Sequence, residues 1–504
     1  MRVRTAEVAG ALSLATDLGM RAEFEHGLRA TRYAMRLGEI LGADAATMQA
    51  SYYVSLLLYV GCTADLDLLS DAFGDEEDFR VRVAPIAYGP PGPMMRAMLP
   101  MAGRPATGAR RIVATARTLV RLPREMPRMM RTHCEVSRLH VGQLGLPDKV
   151  RDVVGAAYER WDGKGGPSRL RGDEIPLAVR IAHVAHDLDQ QRSVHGTDAD
   201  DVLRERAGRA FDPSIVAAAL SLDTLDGAES SWHATLAAEP EPVLFTEDAA
   251  LDRSLTCFGA FAELIAPFLR GHSTVVADLA ARAAAAIGLD DAEVALVRRA
   301  GLVHDVGRVT VPVRVWERAG PLGPDDWERV RLHAYHGGRV LAKSAQLAGI
   351  GVIASAHHER CDGSGYHRGT GAAELPRTAR VLAVADAYAA MRADRPHRPA
   401  LAATRAADEL RSEVRHGRLD QTAVDAVLAV AGHGRAPGAM PDLTARETEV
   451  LRLVARGAAN KQIARTLGIS AKTVDNHVQH IYAKAAVSTR AAATLWAIQR
   501  GLLS

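Results

Sequence analysis

Apolar residues return every three or four positions through most of the chain, as in Val275-Val-Ala-Asp-Leu-Ala-Ala-Arg-Ala. That interval lines one side of an α-helix, whereas a half-buried strand would alternate at every second residue. The pattern predicts an all-α protein, and breakers divide it. A first helical unit runs from Val8 to Leu222, and a Glu-Pro-Glu-Pro stretch at 239–242 leads to a second from Leu251 to Val430. Ala431-Gly-His-Gly-Arg-Ala-Pro-Gly-Ala-Met-Pro441 reads as a flexible tether, by its Gly and Pro content, to a last unit at 442–504.

Local rules parse that last unit. Thr444 with Glu447 forms a capping box, Asn460 can cap a second helix, and Gly468-Ile-Ser470 makes a tight turn whose Ser caps a third. Ser488 can start a fourth. Two short helices joined by a Gly-containing turn, the latter with polar residues facing outward, make a helix-turn-helix pattern. From Leu443 to Ser504 there are nine Lys or Arg against three Asp or Glu, while the whole chain is only +2. Positive charge is gathered where a phosphate backbone would lie.

The segment closely resembles the LuxR-type DNA-binding domain through Asn460-Lys-Gln-Ile-Ala-Arg, Ile469-Ser-Ala-Lys-Thr-Val-Asp-Asn-His477-Val and Lys484. The resemblance implies a four-helix domain bound to double-stranded DNA, with the helix from Ala471 to about Ala485 in the major groove. Asp475, Asn476 and Gln479 would face bases. Lys461, Lys472, Thr473, His477 and Lys484 would meet phosphates or fix register. Asp475 stands where many relatives carry a cation; it would repel phosphate and could accept from cytosine N4.

The densest chemistry lies in the second unit. His304-Asp305 sits in Gly-Leu-Val-His-Asp-Val-Gly, with His272 upstream and His333, His357-His358 and Asp386 downstream. Imidazole with carboxylate suits a transition metal better than Ca or Mg, which favour all-oxygen shells. In this order the residues resemble the HD-GYP family of metal-dependent phosphodiesterases, a branch of the HD phosphohydrolases, over about 250–432. The resemblance implies one divalent metal on His272, His304, Asp305 and Asp386 and a second on Asp305, His333, His357 and His358. Asp305 would bridge the two, and iron or manganese would fill them. Two such metals can activate a water and neutralise phosphoryl charge in attack on a phosphodiester, cyclic di-GMP or a related nucleotide being the implied substrate.

Departures from the family qualify this. Arg308 stands for a Lys, keeping a phosphate-binding charge in a fixed fork that cannot hand over a proton. Asp305 and Arg308 are therefore the catalytic candidates. Phe268 replaces a Glu that serves a third metal in some members, which points to a dinuclear centre. His367 follows Gly365-Tyr366 where the family has Pro, and Ala389 replaces an Asp.

Glu159-Arg-Trp-Asp162-Gly-Lys-Gly and Ile175 through His186 repeat Glu359-Arg-Cys-Asp362-Gly-Ser-Gly and Leu375 through Asp386 at a shift of 200, as His133 repeats His333. His26 falls on His272 at a shift of 246, which sets Leu58-Tyr59 on the His-Asp doublet. Ala157-Tyr158 takes the place of the double His and His186 that of the last Asp. The first unit, 8–222, thus reads as a degenerate, non-catalytic HD-like copy, because two scattered imidazoles cannot hold a dinuclear centre. Its retained Asp162-Gly-Lys-Gly turn preserves backbone geometry. The unequal shifts place an insertion near 63–132, rich in Pro, Met and Arg, read as a long surface loop with one amphipathic helix.

Composition fits: 48% apolar and 24% charged residues over 504 positions can bury two or three cores. Four Cys without metal or disulfide spacing favour a reducing cytoplasm, and no signal peptide or membrane span is visible. The expectation is a cytoplasmic, homodimeric transcriptional regulator uniting DNA binding with a phosphodiesterase domain. The alternative keeps DNA binding and treats the HD-like units as non-catalytic sensor or dimerisation modules.

Overall fold

The structure is a computed structural model that describes residues 1–104, 106–225, 230–432 and 443–499. It is helical almost throughout. Two compact units part between Leu251 and Asp252. The tether expected at 431–441 lies outside the described residues from 433 onward, as do 500–504.

In the first unit, helices His26–Ile40, Ala45–Leu57 and Leu177–His195 pack on one another. In the second, His272–Ala286, Asp291–Val303 and Arg377–Met391 do the same. The two sets recur at the shifts found in the sequence. A glycine explains one shared approach: a Cβ on Gly307 would lie 1.9 Å from the His333 carbonyl oxygen, and one on Gly61 would lie 2.2 Å from that of His133. Only a residue without a side chain lets the turn after the doublet position press on the facing helix.

Loop geometry repeats as well. Glu159 accepts from the Ser168 and Leu170 amides at 2.7 and 3.0 Å, and Glu359 from those of Arg368 and Thr370 at 2.7 and 2.9 Å. Gly163 and Gly363 both hold positive φ, 73° and 79°. The first copy keeps this turn although Ala157 and Tyr158 precede it where His357 and His358 precede the second.

Three features differ from the sequence expectation. The insertion is not a loop: helices Leu66–Phe73, Glu76–Val83 and Pro91–Met98 pack with the long helix Gly108–Gln143 around Phe73, Met98, Met101, Leu122 and Met129. Pro123 and Pro127 lie inside that long helix on its exposed side. The Glu-Pro-Glu-Pro stretch is anchored, because buried Glu239 takes Arg4 at 2.7 Å and the Tyr53 hydroxyl at 2.6 Å. Finally, Arg2–Arg4 and Phe245–Glu247 form an antiparallel strand pair with Val3 opposite Thr246.

The C-terminal helices are Ala445–Ala455, Asn460–Leu467, Ala471–Ala485 and Arg490–Gln499. Thr444 and Glu447 form their capping box, and Ser470 Oγ accepts from Thr473 N at 3.0 Å. Gly468 turns the chain at φ 65°. Two caps move by one position. Ala459 precedes the second helix, leaving Asn460 as its first residue, and Thr489 rather than Ser488 receives the Ala492 amide at 3.3 Å.

Candidate metal centre and DNA-binding face

Five separate segments deliver the seven sequence-predicted ligands to one buried place. His272 opens helix His272–Ala286, and His304 and Asp305 follow helix Asp291–Val303 at the start of a 3-10 turn. His333 lies within Pro324–Leu341, His357 and His358 follow Ala345–Ala354, and Asp386 lies within Arg377–Met391.

Asp305 is the centre of the arrangement. Its Oδ2 lies 2.9 Å from His304 Nε2 and 3.6 Å from His272 Nε2, while its Oδ1 lies 3.5 Å from both His333 Nε2 and His357 Nε2. The carboxylate therefore turns one oxygen to each side. Asp386 Oδ1 lies 2.9 Å from His272 Nε2 and its Oδ2 lies 3.9 Å from His358 Nδ1. Ligand atoms of His272, His304 and Asp386 lie within 4.8 Å of one another; so do those of His333, His357 and His358, and those of His304, Asp305 and His357.

Two observations fit these groups to metal cations. His304 and His357 place Nδ1 2.8 and 2.7 Å from the carbonyls of Gly301 and Ala354, and His333 does the same with Val330. A proton held there leaves Nε2 as the inward lone pair, the orientation in which ligating histidines are fixed. His333 Nε2 and His357 Nε2 nevertheless face each other at 3.1 Å. His304 Nε2 and both Asp305 oxygens are buried without a hydrogen-bond partner. Buried polar atoms are nearly always satisfied, so such a cluster suits a positive ion between them.

The electrostatics favour positive charge at this centre. Burial opposes the charged form of Asp305, yet Arg308 and His304 hold it well below the usual carboxylate range. Asp386 is held low against the same burial by His272 and His304. Burial also opposes a charge on His304, but Asp305 and Asp386 raise it to about 10, so a metal taken by its Nε2 would displace a proton there. Burial keeps His272 and His357 neutral, down at about 4. Arg308 Nε lies 2.9 Å from Asp305 Oδ1, with its guanidinium 5.1 Å from the centre of the Trp316 ring.

Sequence reasoning assigned no role to two neighbours. The Tyr366 ring lies 4.6 Å from that of His358. Arg395 is pushed down to about 10, mainly by burial and then by Arg308. Nothing in its surroundings, Asp394 and Pro396, marks it as other than a surface turn. Of the replaced family positions, Ala389 is buried and Phe268 underlies Arg395 at 5.3 Å.

The corresponding place in the first copy is filled by protein. His26 lies 3.0 Å from His186 and 2.8 Å from Asp189, and His186 Nε2 lies 2.8 Å from the Ser55 carbonyl. Tyr158 puts its hydroxyl 2.7 Å from Cys62 Sγ and 3.1 Å from His133 Nδ1. Among the described residues, the groups able to hold a metal all lie in the second copy.

In the C-terminal domain, helix Ala471–Ala485 buries Val474, Val478, Ile481 and Ala485. It exposes Lys472, Asp475, Asn476 and Gln479, with Thr473 and His477 half-buried at the edge; Lys461 is exposed on the preceding helix. Lys484, also exposed, pairs with buried Glu447, 3.0 and 2.8 Å from its two oxygens.

Comparison with known proteins accords with both halves. The chain is 26% identical over 404 residues to 3′3′-cGAMP-specific phosphodiesterase 3 of Vibrio cholerae, spanning 78% of this chain and 88% of that one. A cyclic di-GMP phosphodiesterase of Thermotoga maritima is 36% identical over 129 residues, 25% of this chain and 35% of the relative. The crystal structure of a cyclic GMP-AMP-specific phosphodiesterase of Vibrio cholerae shares the fold, with a TM-score of 0.59 at 22% identity, covering 86% of this chain and 99% of that one. Residues 441–497 match the luxR family of bacterial regulatory proteins. Residues 110–215 and 258–423 match the HD domain, so the chain belongs to the HD domain family, with two copies of that fold ahead of a LuxR-type domain.

Proposed function

We propose that the second HD copy is a dinuclear metal-dependent phosphodiesterase acting on a cyclic dinucleotide, cyclic di-GMP or 3′3′-cGAMP, and that the C-terminal domain binds double-stranded DNA. The chain would then be a transcriptional regulator, working as a homodimer in the cytoplasm. The observation that carries the reading is Asp305, whose buried carboxylate turns each oxygen to a different pair of imidazoles. His272, His304, Asp305 and Asp386 would hold one transition metal, iron or manganese, and Asp305, His333, His357 and His358 the other. Bound there, the metals would supply Lewis acidity to the phosphoryl group and lower the pKa of a water.

The chain's own residues do the rest. Arg308, fixed by Asp305 and Trp316, offers a fork matched to phosphate oxygens but does not move a proton. Arg395, close enough for its charge to be felt by Arg308, Asp386 and Asp305, adds a second cation, and the Tyr366 ring packs beside His358. In the output domain, Lys461, Lys472, Thr473 and His477 would meet phosphates while Asp475, Asn476 and Gln479 face bases.

Metal analysis of the full chain after reconstitution with Mn²⁺ or Fe²⁺, followed by hydrolysis assays on both cyclic dinucleotides, tests this. Two equivalents of metal with turnover are expected. Absence of metal and of turnover together would refute the enzymatic reading and leave the HD copies as scaffold.

A further inference from the structure

Just upstream of His272, the segment Pro267 to Arg270 meets the DNA-binding domain. Arg270 Nη1 donates to the carbonyl of Ala455 at 2.9 Å. Ala455 ends helix Ala445–Ala455, where carbonyls lack helical partners and a cation is favoured. Beside it Gly457, at φ 84°, approaches so closely that a Cβ would lie 2.7 Å from the Pro267 Cβ.

The same segment also borders the metal centre. Phe268 lies under Arg395. Glu263 accepts from the amides of Gly271 and Ser273 at 2.6 Å each, clamping the peptide on both sides of His272. On the far side, the corner from Ala455 to Asn460 reaches the recognition helix. Arg490 donates to the Ala458 carbonyl at 2.8 Å and to Asn460 Oδ1, and the Asn460 amide donates to Asp475 Oδ1 at 3.3 Å.

We propose that this corner is an interaction surface through which the state of the metal centre reaches the DNA-binding domain. Arg270 holds the 455–460 corner in the metal-free state, and loading of the centre releases it. The inference rests on the phosphodiesterase reading above and adds regulation to it. The latch includes a hydrogen bond and a Pro–Gly contact, and the differential affinity of a bound ion or substrate can shift it. Because the corner also carries Asn460, its release alters what steadies Asp475.

The test uses the full chain and duplex DNA that the chain itself enriches from a random library. Binding is followed by fluorescence anisotropy for Mn²⁺-loaded and EDTA-stripped protein, with metal content measured in parallel. Wild type is expected to differ about tenfold in DNA affinity between the two states. Arg270→Gln is expected to keep its metal, to lose that difference, and to depart from wild type in the stripped state. Pro267→Ala, which strips the ring from Gly457, carries the same expectation and serves if the first variant does not fold. Wild-type behaviour of the variants in both states overturns the proposal, as does a metal-loaded wild type indifferent to its metal. Should the chain take up no metal, the phosphodiesterase reading fails by that measurement alone, and the stripped-state comparison still decides whether the latch acts on DNA binding.

Discussion

Replacing Asp305 by Asn keeps the shape of the side chain and removes its charge, so the centre is perturbed through electrostatics and ligation rather than packing. At 2.9 Å from Arg308 Nε, a unit charge pair in a medium of effective dielectric near 20 is worth roughly 6 kcal/mol before solvation is counted. Desolvation takes back part of this, and breaking one side of a buried pair typically costs about 3–5 kcal/mol. His304, raised by Asp305 and Asp386, loses one of those two partners as well. The metal-free variant should therefore melt roughly 10 °C below wild type by calorimetry. Because both proposed metal shells share Asp305, reconstitution should fail at both sites rather than one. Phosphodiester hydrolysis should fall by about a thousandfold or more, equal to about 4 kcal/mol of barrier. A variant that retained two equivalents of metal, or lost only one, would refute the shared carboxylate.

Other outcomes follow from single contacts. Gly307→Ala would press a Cβ into the His333 carbonyl, and should destabilise the chain by about 2–3 kcal/mol and lower metal uptake, read by thermal melting and metal analysis. Glu447, opposed by burial but held at about 2 by Lys484 and Thr444, lies below its ordinary 4.5. Its contribution is present above pH 4.5 and is lost as pH falls toward 2. Lys484→Met should remove about 1–2 kcal/mol of it at pH 7, discounted because the ammonium is partly solvated, and an unchanged acid-unfolding profile would count against the pairing. Lys472→Ala should weaken DNA binding across sequences and reduce its salt slope by about one; an unaltered slope would exclude the phosphate contact.

The seven proposed ligands were legible in the sequence because His and Asp within apolar helices are chemically conspicuous and their order is distinctive. So was the repeat, since Asp162-Gly and Asp362-Gly preserve a turn that only certain residues adopt. Other features left weaker marks. Strands of three residues, such as Arg2–Arg4, are too short to display a period. Pro123 and Pro127 read as breakers, yet they lie on the exposed side of a helix whose buried side, through Leu122 and Met129, holds it together. Arg395 gains its place only through tertiary folding. Asn460 was read as a cap because Asn favours that position, but its side chain is engaged by Arg490 and Asp475.

The packed interior of the first copy bears on its evolutionary prospects. Leu58, Tyr59, Ala157, Tyr158 and His186 stand at the five lost ligand positions, and all but the half-buried Tyr59 and Tyr158 are buried. Restoring one acidic residue or imidazole there would break contacts such as Tyr158–Cys62 or His186–Ser55 without yet capturing an ion, at a cost of a few kcal/mol. Each backward step is thus penalised until nearly all are taken. The packing acts as a ratchet: substitution can refashion this half for other ends, but a stepwise return to a metal centre runs uphill.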